Sequence, residues 1–264
     1  MSQTSFQTDS EALQILELHR LSLLGAVITS VIHELNQPLT SMNMDASFLD
    51  MIAGNPDRMN PAAIGAVGKG ILNDVLRCQK ILDHLRLLAH RQTCAEPTDL
   101  NKVIENCFLL TNERIRSHGI ALSVDLPATP VSISINPFDL EYALLSLILN
   151  ACNLIEAKQE EDKSVSEQKN GQNPAVISIQ LSQKNSTVKL AITDNGHAIF
   201  KKLYGQETDP ILMQLPSGKT RPNGLFLARQ LIKELGGELI PKRYDDKALG
   251  EVNLVEITLP MNRA

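Results

Sequence analysis

From Leu21 to Ile52 apolar residues recur in alternating steps of three and four. The stripe runs Leu21, Leu24, Ile28, Val31, Leu35, Pro38, Met42, Asp45, Leu49 and Ile52, apolar at all but Pro38 and Asp45. Such steps line up one face of an α-helix, the pattern of a bundle helix. On this register His33 falls furthest from the seam and Gln37 lies about 40° round the same face. Both are expected to meet solvent or a partner. Pro38 removes a backbone donor and crowds the turn before it, so a kink is expected just after His33. Gly54-Asn55-Pro56-Asp57 breaks the helix, and Ile64, Ile71, Val75, Cys78, Leu82, Leu85 and Ala89 predict a return helix. Such an antiparallel hairpin cannot cover both of its apolar faces, and a second copy would do so as a four-helix bundle.

The periodicity stops around Gln92 to Thr98, and Pro97-Thr98-Asp99 reads as a linker running into a helix cap. Beyond it helices and strands mix. A helix to about Ser117, strands at Ile120–Leu126 and Val131–Ile135, and a helix opened by Pro137 with Leu140, Leu144, Leu147, Ile148 and Ala151 buried are expected. Lys158 to Pro174 is polar and is expected to be a solvated loop. Val176–Leu181 and Val188–Thr193 alternate as a β-hairpin ending at Asp194-Asn195-Gly196. Residues 195–223 lack a pattern and suggest a lid. A last helix from Leu225 to a cap at Gly236-Gly237, then strands near Glu238–Lys242 and Asn253–Leu259, close the chain. The expected fold is therefore α+β. Residues 1–8 are a disordered start, 9–92 a helical hairpin that dimerises into a four-helix bundle, and 93–264 an α/β sandwich.

Composition narrows the function classes. With 264 residues, 43% of them apolar, the chain can bury a substantial core. A net charge of −5 gives no basic face for nucleic acid, and 3% aromatics without tryptophan give no stacking platform. Cys78, Cys94, Cys107 and Cys152 are scattered, which argues against a disulfide or zinc framework and suits a reducing cytoplasm. The apolar runs Leu21–Thr29 and Ala143–Leu149 fall short of the roughly 18 residues of a membrane span, and the polar start shows no secretory signal.

His33 and Glu34 stand side by side. A carboxylate that accepts the Nδ1 proton fixes the tautomer and leaves Nε2 a better nucleophile, as phosphoryl transfer to imidazole requires. The other histidines, His19, His84, His90, His118 and His197, show no ligand spacing and read as surface residues. Asn150, in the apolar run Leu144-Leu145-Ser146-Leu147-Ile148-Leu149-Asn150-Ala151, needs a partner if it is buried.

The run His33-Glu34-Leu35-Asn36-Gln37-Pro38-Leu39 resembles the phosphoacceptor box of two-component sensor histidine kinases, closest to the subgroup with the same seven residues. The resemblance covers roughly Leu21 to Leu259. It implies a dimeric hairpin bearing the phosphorylated histidine, followed by an ATP-binding domain that uses ATP and Mg²⁺. Asn150 matches the family's Mg²⁺ ligand, with Ser146 at the place of an earlier asparagine. Asp194-Asn195-Gly196-His197-Ala198 resembles the Asp-x-Gly-x-Gly turn, which makes Asp194 the acceptor for the adenine amino group, beside Gly196. Pro222-Asn223-Gly224-Leu225-Phe226-Leu227 resembles the Gly-x-Gly-Leu-Gly-Leu loop with only Gly224 kept. Lys219 in Ser217-Gly218-Lys219 would be the lid lysine, and Gln37 would position water for dephosphorylating a response regulator.

Two readings follow. In one the chain is an ATP-dependent histidine kinase: Glu34 orients His33, and the phosphate passes to an aspartate on a response-regulator receiver domain. In the other, motivated by the lost glycines, it is a phosphotransfer protein or scaffold that takes phosphate on His33 from a receiver domain, or only binds a kinase or receiver. Both imply a homodimer; a separate sensor protein is a further candidate partner.

Overall fold

The computed structural model describes residues 21, 25, 28, 31–32, 34–54, 60–89, 97–165, 174–197, 212–214, 220–222 and 224–261. The expected disordered start, the linker core at 91–96 and most of the expected lid lie outside them.

Helix α1 is continuous over 34–53 and α2 spans Pro61–Ala89. Arg77 Nη2 lies 2.5 Å from Glu34 Oε1. Further along, Asp45 Oδ2 lies 3.1 Å from the Cβ position of Gly70. Contacts at 34 with 77 and at 45 with 70 make the two helices antiparallel. Ile64, Ile71, Val75, Cys78 and Leu85 are half-buried, while Leu82 is 51% exposed and the buried position is Ile81. The stripe is thus one residue out near its end, because Ile81 and Val31 turn toward the second domain and join its core. Leu21 and Ile28, expected in the seam, are exposed. The other side of the hairpin also leaves Ile32, Leu39, Phe48, Leu72 and Leu76 in the open.

In the second domain Asp99 caps α3 (Leu100–Ser117), its Oδ1 accepting from the Asn101 amide at 3.0 Å. The short strands β1 (Thr98–Asp99) and β3 (Ser132–Ile133) pair antiparallel. The main sheet has the order β2-β4-β5-β9-β8, built from β2 (Ala121–Asp125), β4 (Val176–Lys184), β5 (Thr187–Asp194), β8 (Glu238–Asp246) and β9 (Gly250–Pro260). Only β2 and β4 run parallel. Alternate residues such as Ile177, Ile179, Leu190, Ile192 and Ile257 are buried in a common core with Leu140, Leu144, Leu147, Ile148 and Ala151 of α4 (Pro137–Val165), and with Leu227 and Leu231 of α5 (Gly224–Glu234). Gly236, at φ 78°, ends α5 as expected.

Three expectations change. Residues 158–165, expected to start a loop, continue α4: Gln, Glu, Lys and Asp dominate there, without glycine or proline, and polarity marks a solvated helix surface as readily as a loop. The closing strands are longer than expected. Lys242 pairs with Glu256 and Arg243 with Glu251 across the ladder, so charged residues extend the hairpin to Asp246. Within the expected lid, β6 (Leu212–Gln214) and β7 (Thr220–Pro222) form a two-stranded ladder. Finally, the helix over Pro137–Asp162 is long and apolar enough to cross a membrane by length and composition, and 94% of its apolar window is buried inside the protein.

Candidate functional site

Glu34 is buried, with 1% of its surface exposed. Its Oε1 accepts from Arg77, and its Oε2 is buried without a partner. A carboxylate held this way keeps one oxygen committed to a cation and one available to a further donor. Gln37, expected in solvent, is half-buried because its amide donates to Glu113 on α3. His84, read as a surface residue, is buried against Glu141 on α4, which also accepts from Asn106. Burial raises the Glu141 pKa, and the His84 contact opposes that rise. The hairpin is therefore docked on α3 and α4 through two polar contacts flanking Val31 and Ile81. His118 and His197 are half-buried; His118 Nδ1 lies 2.9 Å from the Arg114 carbonyl and His197 Nε2 lies 2.8 Å from Glu161. His33 itself, like His19, His90, Lys219, Ala198 and Asn223, lies outside the described residues.

A second group of candidate residues is assembled along α4. Asn150 projects Oδ1 into a buried position where, among the described residues, no group donates to it. Gly224, which opens α5, lies so close that a Cβ there would be 2.5 Å from the Ser146 carbonyl and 3.5 Å from Asn150 Cβ. Only glycine allows this approach, which seats the N-terminus of α5 beside Asn150. Free N–H groups and the positive dipole end favour an anion at that point. Ser146, at the place of the family's earlier asparagine, spends its hydroxyl on the Ala143 carbonyl at 2.8 Å.

On the other side of Asn150 the turn after β5 packs on α4. A Cβ at Gly196 would lie 2.7 Å from the Ile155 amide nitrogen. Asn150 thus touches the Gly224 position and stands about one turn of α4 before the Gly196 contact, between the Gly224 loop and the Asp194 turn. Asn195 braces that turn through the Pro174 carbonyl and the Val176 amide, and Lys158 donates to the Asn195 carbonyl at 2.6 Å. Asp194 is buried, and its Oδ1 accepts from the Gly196 amide at 2.9 Å and from Asn253 Nδ2 at 2.8 Å. Burial pushes its carboxyl up to about 6 against the pull of those two bonds and Lys158.

Asn150, Asp194, Gly196 and Gly224 therefore come together. Among the described residues no hydrogen bond or ion pair joins them to Glu34 or Gln37. An uncompensated amide oxygen on α4, the N-terminus of α5 and a buried carboxylate at the end of β5 fit a metal–nucleotide: oxygen for the cation, N–H groups for phosphate, carboxylate for an amino-bearing base. Sequence reasoning missed Arg77, Glu113 and Asn253. None of the three carried a local signal, because each acts on a residue distant in the chain.

No family model matches the chain. The C4-dicarboxylate transport sensor protein DctB of Rhizobium meliloti is 22% identical over 238 residues, 90% of this chain and 35% of that protein. The sensor histidine kinase ZraS of Escherichia coli K12 is 26% identical over 223 residues, 83% of this chain and 43% of that protein. Of solved structures, the mycobacterial sensor histidine kinase MprB is 22% identical with a TM-score of 0.47, over 64% of this chain and 99% of that one. The chain spans less than half the length of the two curated relatives. The chain is thus similar over most of its length to curated sensor proteins, a sensor histidine kinase among them, and matches a two-component histidine-kinase core.

Proposed function

We propose that the chain autophosphorylates His33 from ATP and passes the phosphate to an aspartate of a response-regulator receiver domain. The observation that carries this reading is the buried, unpartnered Oδ1 of Asn150 beside the N-terminus of α5. ATP with Mg²⁺ supplies the transferable γ-phosphoryl group and the charge that neutralises it. Asn150 Oδ1 ligates the metal, and the first turn of α5 at Gly224 holds phosphate oxygens. Asp194 accepts from the adenine amino group, and Gly196 keeps its turn against α4. Lys219 reaches the phosphates from the lid.

At the acceptor, Glu34 takes the Nδ1 proton of His33 through its uncommitted oxygen, which leaves Nε2 to attack. Gln37 orients water for the reverse task, hydrolysis of the receiver's aspartyl phosphate. Residues 9–92 dimerise through their exposed apolar side into a four-helix bundle, and 93–264 form the ATPase domain. The protein works in the cytoplasm, with a separate sensor protein as a candidate partner. Calorimetry with Mg²⁺–ADP tests the carrying observation. Asn150→Ala is expected to weaken Mg²⁺-dependent binding at least about tenfold while leaving Mg²⁺-free binding nearly unchanged. Wild-type protein that binds no nucleotide would contradict the reading.

A further inference from the structure

The carboxylate of Asp194 has a partner that the chemistry above does not use. Asn253 lies on β9 directly opposite Asp194 in the ladder and is 2% exposed. Its Nδ2 donates to Asp194 Oδ1 at 2.8 Å, the same oxygen that accepts from the Gly196 amide. Among the described residues no group donates to Oδ2. We propose that Asn253 is the positioning residue that sets base specificity: by committing Oδ1 it leaves Oδ2 as a fixed acceptor, so the site takes a 6-aminopurine over a 6-oxopurine.

The inference rests on the nucleotide reading of this site and deepens it. An ionised carboxylate only accepts, whereas a protonated one can also donate to a carbonyl, and one free to rotate holds neither oxygen fixed against an amino group. Two donors on one oxygen remove the rotation and disfavour a proton there. The groups facing Asp194 are few: Asn253 from β9, the Gly196 amide from the following turn, and from α4 Lys158, which favours the anion, and the Cys152 thiol. Burial opposes the anion more strongly than these groups favour it. Loss of the Asn253 bond is therefore expected to move the carboxyl upward, into the neutral range. A site that rejects the wrong base by leaving a buried group unpaired discriminates far better than one that relies on shape.

The test is calorimetric titration with Mg²⁺–ADP and Mg²⁺–GDP at pH 7, beside a ¹³C NMR titration of Asp194 in nucleotide-free protein. Asn253→Leu keeps the volume and removes the donor. It is expected to weaken ADP binding about tenfold, change GDP binding less than threefold, and raise the Asp194 pKa. Asn253→Ser, with a shorter donor, is expected to fall between and serves if the leucine variant does not fold. An ADP-to-GDP preference within threefold of wild type in either folded variant, with the Asp194 titration unmoved, would overturn the proposal. If wild type binds neither nucleotide, the nucleotide reading and base specificity fall together. The free-protein titration then still decides whether Asn253 positions the carboxylate.

Discussion

Glu34 and Arg77 are joined across the hairpin: the guanidinium of α2 meets one oxygen of a carboxylate on α1 whose other oxygen is buried and unpaired. The carboxylate beside His33 is thus held by the return helix. Arg77→Ala would leave a buried charge alone, and a loss of about 2–3 kcal/mol is expected, less than for a fully buried pair because the arginine is a third exposed. Arg77→Lys should recover part of it. Urea unfolding of both variants checks this, and a loss below about 0.5 kcal/mol for alanine, typical of a surface change, would contradict it.

Gln37 to Glu113 and His84 to Glu141 tie the hairpin to α3 and α4. Glu113→Ala combined with His84→Ala is expected to loosen this docking without unfolding either part. Amide exchange over the second half of α2 should quicken about tenfold or more while the main sheet keeps its protection. Unchanged exchange in α2 would show that the apolar contacts of Val31 and Ile81 suffice.

Asp194 makes stability depend on pH. Its folded-state pKa of about 6 lies above the ordinary value of 3.8, so the folded protein holds the proton where the unfolded chain has lost it. Stability from this group is full below about pH 4, falls as pH rises through about 6, and is flat above that. Asp194→Asn should therefore stabilise the protein at pH 7 by up to about 3 kcal/mol and hardly at all at pH 4. Paired urea midpoints across that range measure the difference, and a constant offset would refute it.

Gly224→Ala would push a methyl into the Ser146 carbonyl. Because that contact is backbone, α5 must shift away from α4. A destabilisation of about 1–3 kcal/mol is expected, with weaker phosphate-dependent binding of ADP relative to adenosine. Thermal melts and calorimetry separate the two effects; a variant as stable as wild type would mean that α5 can slide freely.

Leu72 and Leu76 stand exposed on one side of α2. If that side meets a second copy, Leu72→Glu with Leu76→Glu should convert a dimer into a monomer in sedimentation equilibrium at micromolar concentration. A dimer that survives both charges would place the interface elsewhere.

The helices, the Asp99 cap, the β-hairpin ending at Asp194 and the Gly236 stop were legible because each rests on a local rule: periodicity, capping oxygen, alternation, positive φ. The docking of the hairpin was not. Whether Gln37 or His84 faces solvent depends on Glu113 and Glu141, distant in the chain, and a helical register cannot name an unseen partner. The polar tail of α4 was misjudged for a related reason, since composition reports solvent and not conformation. Asn150, Asp194 and Gly224 could be found through the resemblance of their surroundings to the motifs of sensor histidine kinases, whereas Asn253 acts through a strand pairing that only the folded sheet reveals.

The most direct test of the account is incubation with Mg²⁺ and γ-labelled ATP, beside His33→Ala. Acid-labile label that appears on the wild type, is absent from the variant and then moves to a receiver domain is the predicted result. No label from ATP, with label gained only from a phosphorylated receiver, would contradict it.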